Sequence, residues 1–190
     1  MLRVLDLSPS GNVRSILTTH NLNNLPPYHA LSYTWGAPSE LLNERGVTAD
    51  LSYSILCNEC ILKVTKNLLD ALLCMQRMGH MTFVDYFWID AICINQEDDD
   101  EKGSQVYMMT DIYKAAQSVI VWLGESDEDT SLALEVLPTI ATIPNNFFTK
   151  IDNSDIDLMD SIMNRYVCRH SPEHWRALVV FLRRNWFNRV

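Results

Sequence analysis

The sequence predicts an α/β fold: a mostly parallel sheet flanked by helices, with a β-hairpin inserted after the first core strand. Three observations predict it. Strand-like and helix-like segments alternate at 28–35, 66–78, 83–92, 104–117 and 118–123, and crossover helices of this length join parallel strands and cover the faces of a sheet. The segment "SVIVWLG" at 118–124 is almost entirely apolar, the pattern of a strand covered on both faces. Finally, "SILCNECILKV" at 54–64 sets two β-favouring arms around Asn58 and Glu59, which reads as a hairpin.

The elements follow in chain order. "LRVLDL" at 2–7 alternates as a short strand does and is stopped by "SPSGN". Residues 20–27 read as a loop closed by two prolines. "YHALSYTW" at 28–35 is apolar and aromatic-rich, the mark of a buried strand, and Gly36 ends it. Thr65 can cap a helix over 66–78, whose stripe is Leu68, Leu69, Leu72, Leu73 and Met75, with Gly79 as its stop. "FVDYFWIDAICI" supplies the central strand at 83–92. In the helix over 104–117, Val106, Met109, Ile112, Tyr113 and Ala116 form the predicted buried face. Asp127, Glu128 and Asp129 favour the start of a further helix, and Pro138 is expected to limit its end. "DLMDSIMNRYVC" reads as helical. "SPEHWRALVVFLRR" reads as a strong helix, with Ser171 as N-cap, Pro172 at the first position and a basic last turn.

Composition narrows the function classes. A chain of 190 residues, 47% hydrophobic and 21% charged, is globular material for one domain. Its net charge of −9 argues against binding nucleic acid or an anionic membrane surface. No apolar run approaches the ~18 residues of a membrane span. The N-terminus lacks the long apolar core of a signal peptide. Five cysteines without a secretion signal point to free thiols and a cytoplasmic setting.

Ligands of open α/β sheets bind outside the carboxyl ends of the strands. Here those ends are "YTWG", "IDAICINQ" and "LGESDE". Asp90 is either a buried acceptor for turn N–H groups or a ligand-binding carboxylate. Asn95 and Gln96 either shape the loop or read a ribose or base edge. Tyr33 and Trp35 sit between core and rim, with rings able to stack on a base. Cys93 has no histidine near it in sequence and reads as a small apolar residue. The acids of "EDDDE" at 97–101 lack EF-hand spacing and read as a solvated loop before a helix. The "CNEC" pair, Cys57 and Cys60, could complete a zinc site only with His170 and His174 more than 100 residues away, so no metal is expected. No nucleotide-binding glycine loop, serine-hydrolase elbow or zinc-protease motif occurs.

Spacing alone thus names no enzyme, but the blocks themselves carry a resemblance. "YHALSYTWG", "FWIDAICINQEDDDEKGSQVYMMTDIYKAAQSVIVWLGE" and "RRNWFNRV" resemble the three signature blocks of the fungal heterokaryon incompatibility (HET) domain. The resemblance covers nearly the whole chain. It implies one HET domain over 1–190, cytoplasmic, whose activation triggers cell death when genetically different fungal cells fuse, an innate-immune-like non-self response. That family is in turn similar to Toll/interleukin-receptor-type (TIR) domains, which implies a TIR-like, flavodoxin-like sheet and self-association or contact with other death-signalling proteins. Many TIR domains cleave NAD with a glutamate. The comparison places the equivalent acid beyond Val190, so the chain is expected to be truncated at its C-terminal end and inactive or nearly so on NAD. NAD is the one cofactor-like molecule implied, as a substrate, and Tyr33, Trp35, Gly36, Asp90 and Asn95 are the residues expected to hold it.

Overall fold

The computed structural model describes residues 2–7, 13–21, 24–39, 50–77, 86–142 and 167–188, which fall into two compact units, Met1–Gly124 and Glu125–Val190. The first unit is built on one seven-stranded mixed sheet. Its strands are β1 (Leu2–Leu7), β2 (Arg14–His20), β3 (Tyr28–Ser32), β4 (Tyr53–Cys57), β5 (Cys60–Val64), β6 (Tyr86–Trp88) and β7 (Ser118–Val121), in the spatial order β5-β4-β2-β1-β6-β3-β7. The three strands expected to be parallel neighbours are so: β3 pairs in parallel with β6 on one side and with β7 on the other. β1 runs antiparallel to both β2 and β6 and links this parallel half to the rest. The strand β2 is an element that the sequence reading left out.

The hairpin is present, and it does more than decorate the crossover. β4 and β5 pair antiparallel from Tyr53↔Val64 to Cys57↔Cys60, and β4 also pairs with β2 at Arg14↔Leu56, so the hairpin extends the main sheet. Asn58 is the clamp. Its backbone N–H donates to Ser15 O at 3.0 Å, its side-chain Oδ1 accepts from Leu17 N at 2.9 Å, and its Nδ2 donates to Leu17 O at 3.2 Å. Both turn residues have positive φ, 49° at Asn58 and 61° at Glu59. That is the signature of a type I′ turn, in which asparagine is at ease and glutamate is not. Glu59→Gly is therefore expected to stabilise the chain by about 0.5–1 kcal/mol, read as a raised urea midpoint with an unchanged slope.

Helix α1 (Lys66–Arg77) buries Leu68, Ala71, Leu72 and Met75 on one stripe, and the Thr65 hydroxyl accepts the Leu68 N–H at its start. Leu69 and Leu73 are partly buried beside them. Gly79, its expected stop, lies outside the described residues, as do residues 83–85 of the expected central strand. What is described of that strand is shorter than 83–92: β6 ends at Trp88, and Asp90–Cys93 form a single helical turn, α2. Apolar content alone could not distinguish the two, because a buried helical turn is as apolar as a buried strand.

Helix α3 spans Asp99–Ala115, starting five residues earlier than the periodicity suggested. Asp98 is its N-cap, accepting the Glu101 N–H at 3.0 Å, and Asp99, Asp100 and Glu101 occupy its first turn. The acidic stretch is therefore the start of the helix and not a loop before it, since carboxylates there meet unpaired N–H groups and the positive end of the dipole. Of the expected buried face, Ile112 is buried and Met109, Tyr113 and Ala116 pack on the core, whereas Val106 is exposed and Gln105 and Met108 take that side of the helix. Two tyrosines tie this helix to β3. Tyr28 Oη donates to Ile112 O at 2.5 Å and Tyr113 Oη to Leu31 O at 3.2 Å. Burial raises the Tyr28 hydroxyl above its ordinary 10.0, which keeps it a donor.

Strand β7 corrects the expectation of a strand covered on both faces. It is an edge of the sheet, and Val119 and Val121 are exposed while Ile120 and Trp122 pack on the core. The core itself centres on Trp88, fully buried, with Tyr28, Phe87, Leu31, Leu68 and Leu72 around it.

The second unit pairs α4 (Glu128–Ala141) with α5 (Pro172–Leu182). α4 buries Thr130, Ala133 and Val136 and begins with a capping box between Asp127 and Thr130. Pro138 does not end it, because Thr139–Ala141 continue the helix, where the lost N–H bond falls in the last turn. α5 buries Ala177, Leu178 and Phe181. It starts where the sequence placed it, but the Ser171 hydroxyl pairs with His174 Nδ1 at 2.7 Å instead of capping the backbone, and its last turn holds no basic residue. Of the helix read at 157–168 only the end is described, in a tight turn at Val167–Arg169.

Candidate functional site

The carboxyl ends of β3, β6 and β7 meet at one edge of the first unit and are knitted together by two side-chain bridges. The first joins β3 to β6. Trp35, three residues past β3, donates its Nε1–H to Asp90 Oδ2 at 2.9 Å. Asp90 opens α2, and its other oxygen accepts the Ala91 N–H at 2.7 Å. The second joins β3 to β7 through α1. Asn67 Nδ2 donates to Thr34 O at 2.7 Å and Thr34 Oγ1 at 3.2 Å, and Asn67 Oδ1 accepts Trp122 Nε1–H at 2.8 Å. Asn67 is 5% exposed. The sequence reading missed it, because an amide in the first turn of an amphipathic helix carries no signal until its strand partners are known.

Loop 94–98 is shaped from within. Gln96 Nε2 donates to Asp90 O at 2.9 Å, Asn95 Oδ1 accepts the Glu97 N–H at 3.2 Å, and the Asn95 N–H donates to Glu101 Oε1 at 3.1 Å. Both amides thus fill the loop-shaping role, one of the two open to them. Cys93 is buried, with Sγ 3.8 Å from Phe87 O.

A groove of about 710 Å3 lies beside this edge, between the hairpin β4–β5, the start of α1 and loop 94–97. Of the residues expected to hold a ligand, Tyr33, Trp35 and Asn95 line it; Gly36 and Asp90 are not among its lining residues. Tyr33 is buried, whereas Trp35 is 39% exposed. The remaining wall is largely apolar, from Leu17, Ile61, Leu62, Leu68 and Ile92, with Asn58, Lys63 and Glu97 as polar groups. Size and lining suit a small or mid-sized organic ligand held by stacking and a few hydrogen bonds. Among the described residues no three potential ligands gather around a metal. Cys57 and Cys60 belong to the hairpin of the first unit, while His170 is bonded to Thr139 Oγ1 at 2.8 Å and His174 to Ser171 and to Glu135 Oε2 in the second.

Arg184 is a strongly tied cation among the described residues of the second unit. Arg184, 7% exposed, donates to Thr130 Oγ1 at 2.6 Å, to Glu125 O at 3.3 Å and to Asp127 Oδ2 at 3.4 Å, and lies over the Phe181 ring at 5.4 Å. Burial alone pushes the Asp127 carboxyl up, but hydrogen bonds from the Thr130 hydroxyl and N–H and the Arg184 charge outweigh it and hold it below its ordinary 3.8.

Residues 28–190 match the family model described as heterokaryon incompatibility protein (HET). The chain belongs to the heterokaryon incompatibility (HET) family. The match runs across both compact units. The chain is also 31% identical over 160 residues to heterokaryon incompatibility protein 6, OR allele, of Neurospora crassa, a match covering 79% of this chain and 22% of that protein. The HET chain therefore spans about a fifth of the length of that relative. No solved structure matches it. The matched residues include both ends of the Trp35–Asp90 bridge and Arg184. No described helix is long and apolar enough to cross a membrane.

Proposed function

We propose that this chain is a heterokaryon-incompatibility module: a cytoplasmic non-self signalling domain that triggers fungal cell death through assembly with copies of itself or with other death-signalling proteins. The observation that carries this reading, beyond membership of the HET family, is the state of Asp90. Both of its carboxylate oxygens are occupied, by Trp35 Nε1 and by the Ala91 N–H, so it acts as a clasp that presents the exposed Trp35 ring. A presented aromatic ring over an apolar groove suits recognition better than acid–base chemistry. The test is inducible expression in a filamentous fungus, scored by growth arrest and vital-dye uptake. The chain is expected to kill; Trp35→Ala is expected to reduce killing at least tenfold at equal protein level, and Trp35→Phe, which keeps a ring but loses the bridge, to fall between. Equal killing by all three would remove the Trp35 edge from the mechanism, and no killing by the parent chain would reject the reading.

A second reading, NAD cleavage in a TIR-like site, is favoured by one feature: the groove has nucleotide dimensions and carries Tyr33, Trp35 and Asn95. Its transition state develops positive charge at the ribose, which an unengaged carboxylate would stabilise. Incubation with NAD and measurement of nicotinamide tests it. This chain is expected to release none above background, and turnover lost on Asp90→Asn would assign the carboxylate to Asp90.

A further inference from the structure

Cys57 and Cys60 are directly opposed across the hairpin, as the pair that closes its two-residue turn. Opposed residues of an antiparallel pair lie about 4.5–5.5 Å apart at Cα, inside the window of roughly 4.4–6.8 Å that a disulfide spans, and their side chains leave the same face. Both thiols are free, Cys60 exposed and Cys57 buried, and both line the groove beside Trp35. The turn between them is pinned to β2 through Asn58, so the two backbones are held in this register whatever the thiols do. A bridge here would enclose only the two turn residues, and so short a loop constrains the unfolded chain little. The pair therefore has the marks of a reversible couple and not of a structural staple.

We propose that Cys57 and Cys60 form a reversible redox pair in the groove wall, with Cys60 as the thiol attacked by peroxide and Cys57 as the thiol that resolves it. The Cys60 thiolate attacks one oxygen of hydrogen peroxide, the O–O bond breaks, and with one proton Cys60 becomes a sulfenic acid while water leaves. The Cys57 thiolate then attacks the Cys60 sulfur, the S–O bond breaks, and the departing hydroxide takes up a second proton and leaves as water as the disulfide forms. Two thiols and one peroxide give one disulfide and two waters. Closing the bond draws the Cys60 side chain toward buried Cys57 and changes the wall that faces the Trp35 ring. The pair stands independently of what the groove binds.

The test treats the chain with hydrogen peroxide, blocks remaining thiols with N-ethylmaleimide and maps the cysteines by mass spectrometry, with dimedone present in a parallel sample. The wild-type chain is expected to yield one peptide with Cys57 and Cys60 linked, lighter by two hydrogens, and restored by a dithiol reductant. Cys57→Ala is expected to leave Cys60 as the sulfenic acid, with dimedone capture raised about tenfold, because the resolving thiol is gone. Cys57→Ser repeats the measurement with a polar replacement in case the smaller one perturbs the hairpin. Capture at Cys60 that is equally high in the wild-type chain, or a disulfide joining either residue to Cys74 or Cys168 in preference, overturns the proposal.

Discussion

Arg184→Ala is expected to destabilise the second unit by about 2–4 kcal/mol, from the loss of the hydrogen bonds of a nearly enclosed guanidinium together with its packing. The guanidinium is nearly enclosed and reaches three acceptors at once, on Glu125, Asp127 and Thr130. All three belong to the segment that opens α4, whereas Arg184 follows α5, so one side chain closes the helix pair at its end. Alanine would remove the donors and leave a gap against Phe181. Arg184→Lys should recover only part of the loss, because an ammonium cannot fork between a hydroxyl, a carbonyl and a carboxylate. Arg184→Met, which fills the space without donors, separates packing from hydrogen bonding. Urea unfolding followed by far-ultraviolet circular dichroism reads the effect; a midpoint unchanged in Arg184→Ala would show that the cluster adds nothing to stability.

The same cluster fixes a pH dependence. The folded Asp127 carboxyl titrates below its ordinary 3.8, so the folded state favours the ionised form. Its contribution is full above the unfolded value and is lost as pH falls through the depressed folded one. Because the Asp127 side chain is 61% exposed, solvent screens much of that contribution. Acid unfolding of Asp127→Asn should accordingly be slightly less steep in this range than that of the parent chain, from a lower stability at neutral pH.

The alternating core was legible in the sequence because each of its elements declares itself by local period. The parallel trio of β3, β6 and β7 and the hairpin arms at 54–64 were readable from runs of β-branched and aromatic residues broken at turns. What failed was long-range by nature. β7 is as apolar as a central strand, yet it lies at an edge, and one-dimensional pattern does not say which neighbour is missing. The strand β2, "RSILTTH", alternates weakly because its pairing with β1 and β4 supplies what its side chains do not. The true start of α3 was hidden because five successive acids look like a solvated loop until Asp98 is seen to cap the helix. Of the residues expected to hold a ligand, Tyr33, Trp35 and Asn95 line the groove, but Tyr33 and Trp35 lie past the end of β3 instead of within a strand, and Asp90 stands at the head of a helical turn instead of on a strand. Asn67 and Arg184 left no trace at all. Each is a polar residue on a helix or just after one, and only its tertiary partners distinguish it from a solvent-facing neighbour.

Asn67 is where stability and site geometry meet, and its loss is expected to be felt in both. Its side-chain amide makes three bonds: two donated to Thr34 and one accepted from Trp122. Asn67→Ala would leave the Thr34 carbonyl and the Trp122 indole N–H without these partners in a buried place, at about 1–3 kcal/mol for each group, so a total near 2–4 kcal/mol is expected after partial rescue by water. Asn67→Asp should be worse than a simple loss of donors, since its carboxylate would keep the Trp122 bond but face the Thr34 carbonyl oxygen. The consequence for the groove follows from chain connectivity. Thr34 immediately precedes Trp35, so freeing Thr34 loosens the backbone that aims the Trp35 ring and its bond to Asp90. The chain has five tryptophans, and their indole N–H resonances report each bridge separately. In Asn67→Ala the Trp122 resonance should shift and exchange rapidly with water, and the Trp35 resonance should move with it, while Trp175 and Trp186 in the second unit stay in place. A Trp35 signal that holds its position as Trp122 moves would show that the Trp35–Asp90 clasp stands without Asn67, and that β3 is fastened to β6 and to β7 by two independent locks.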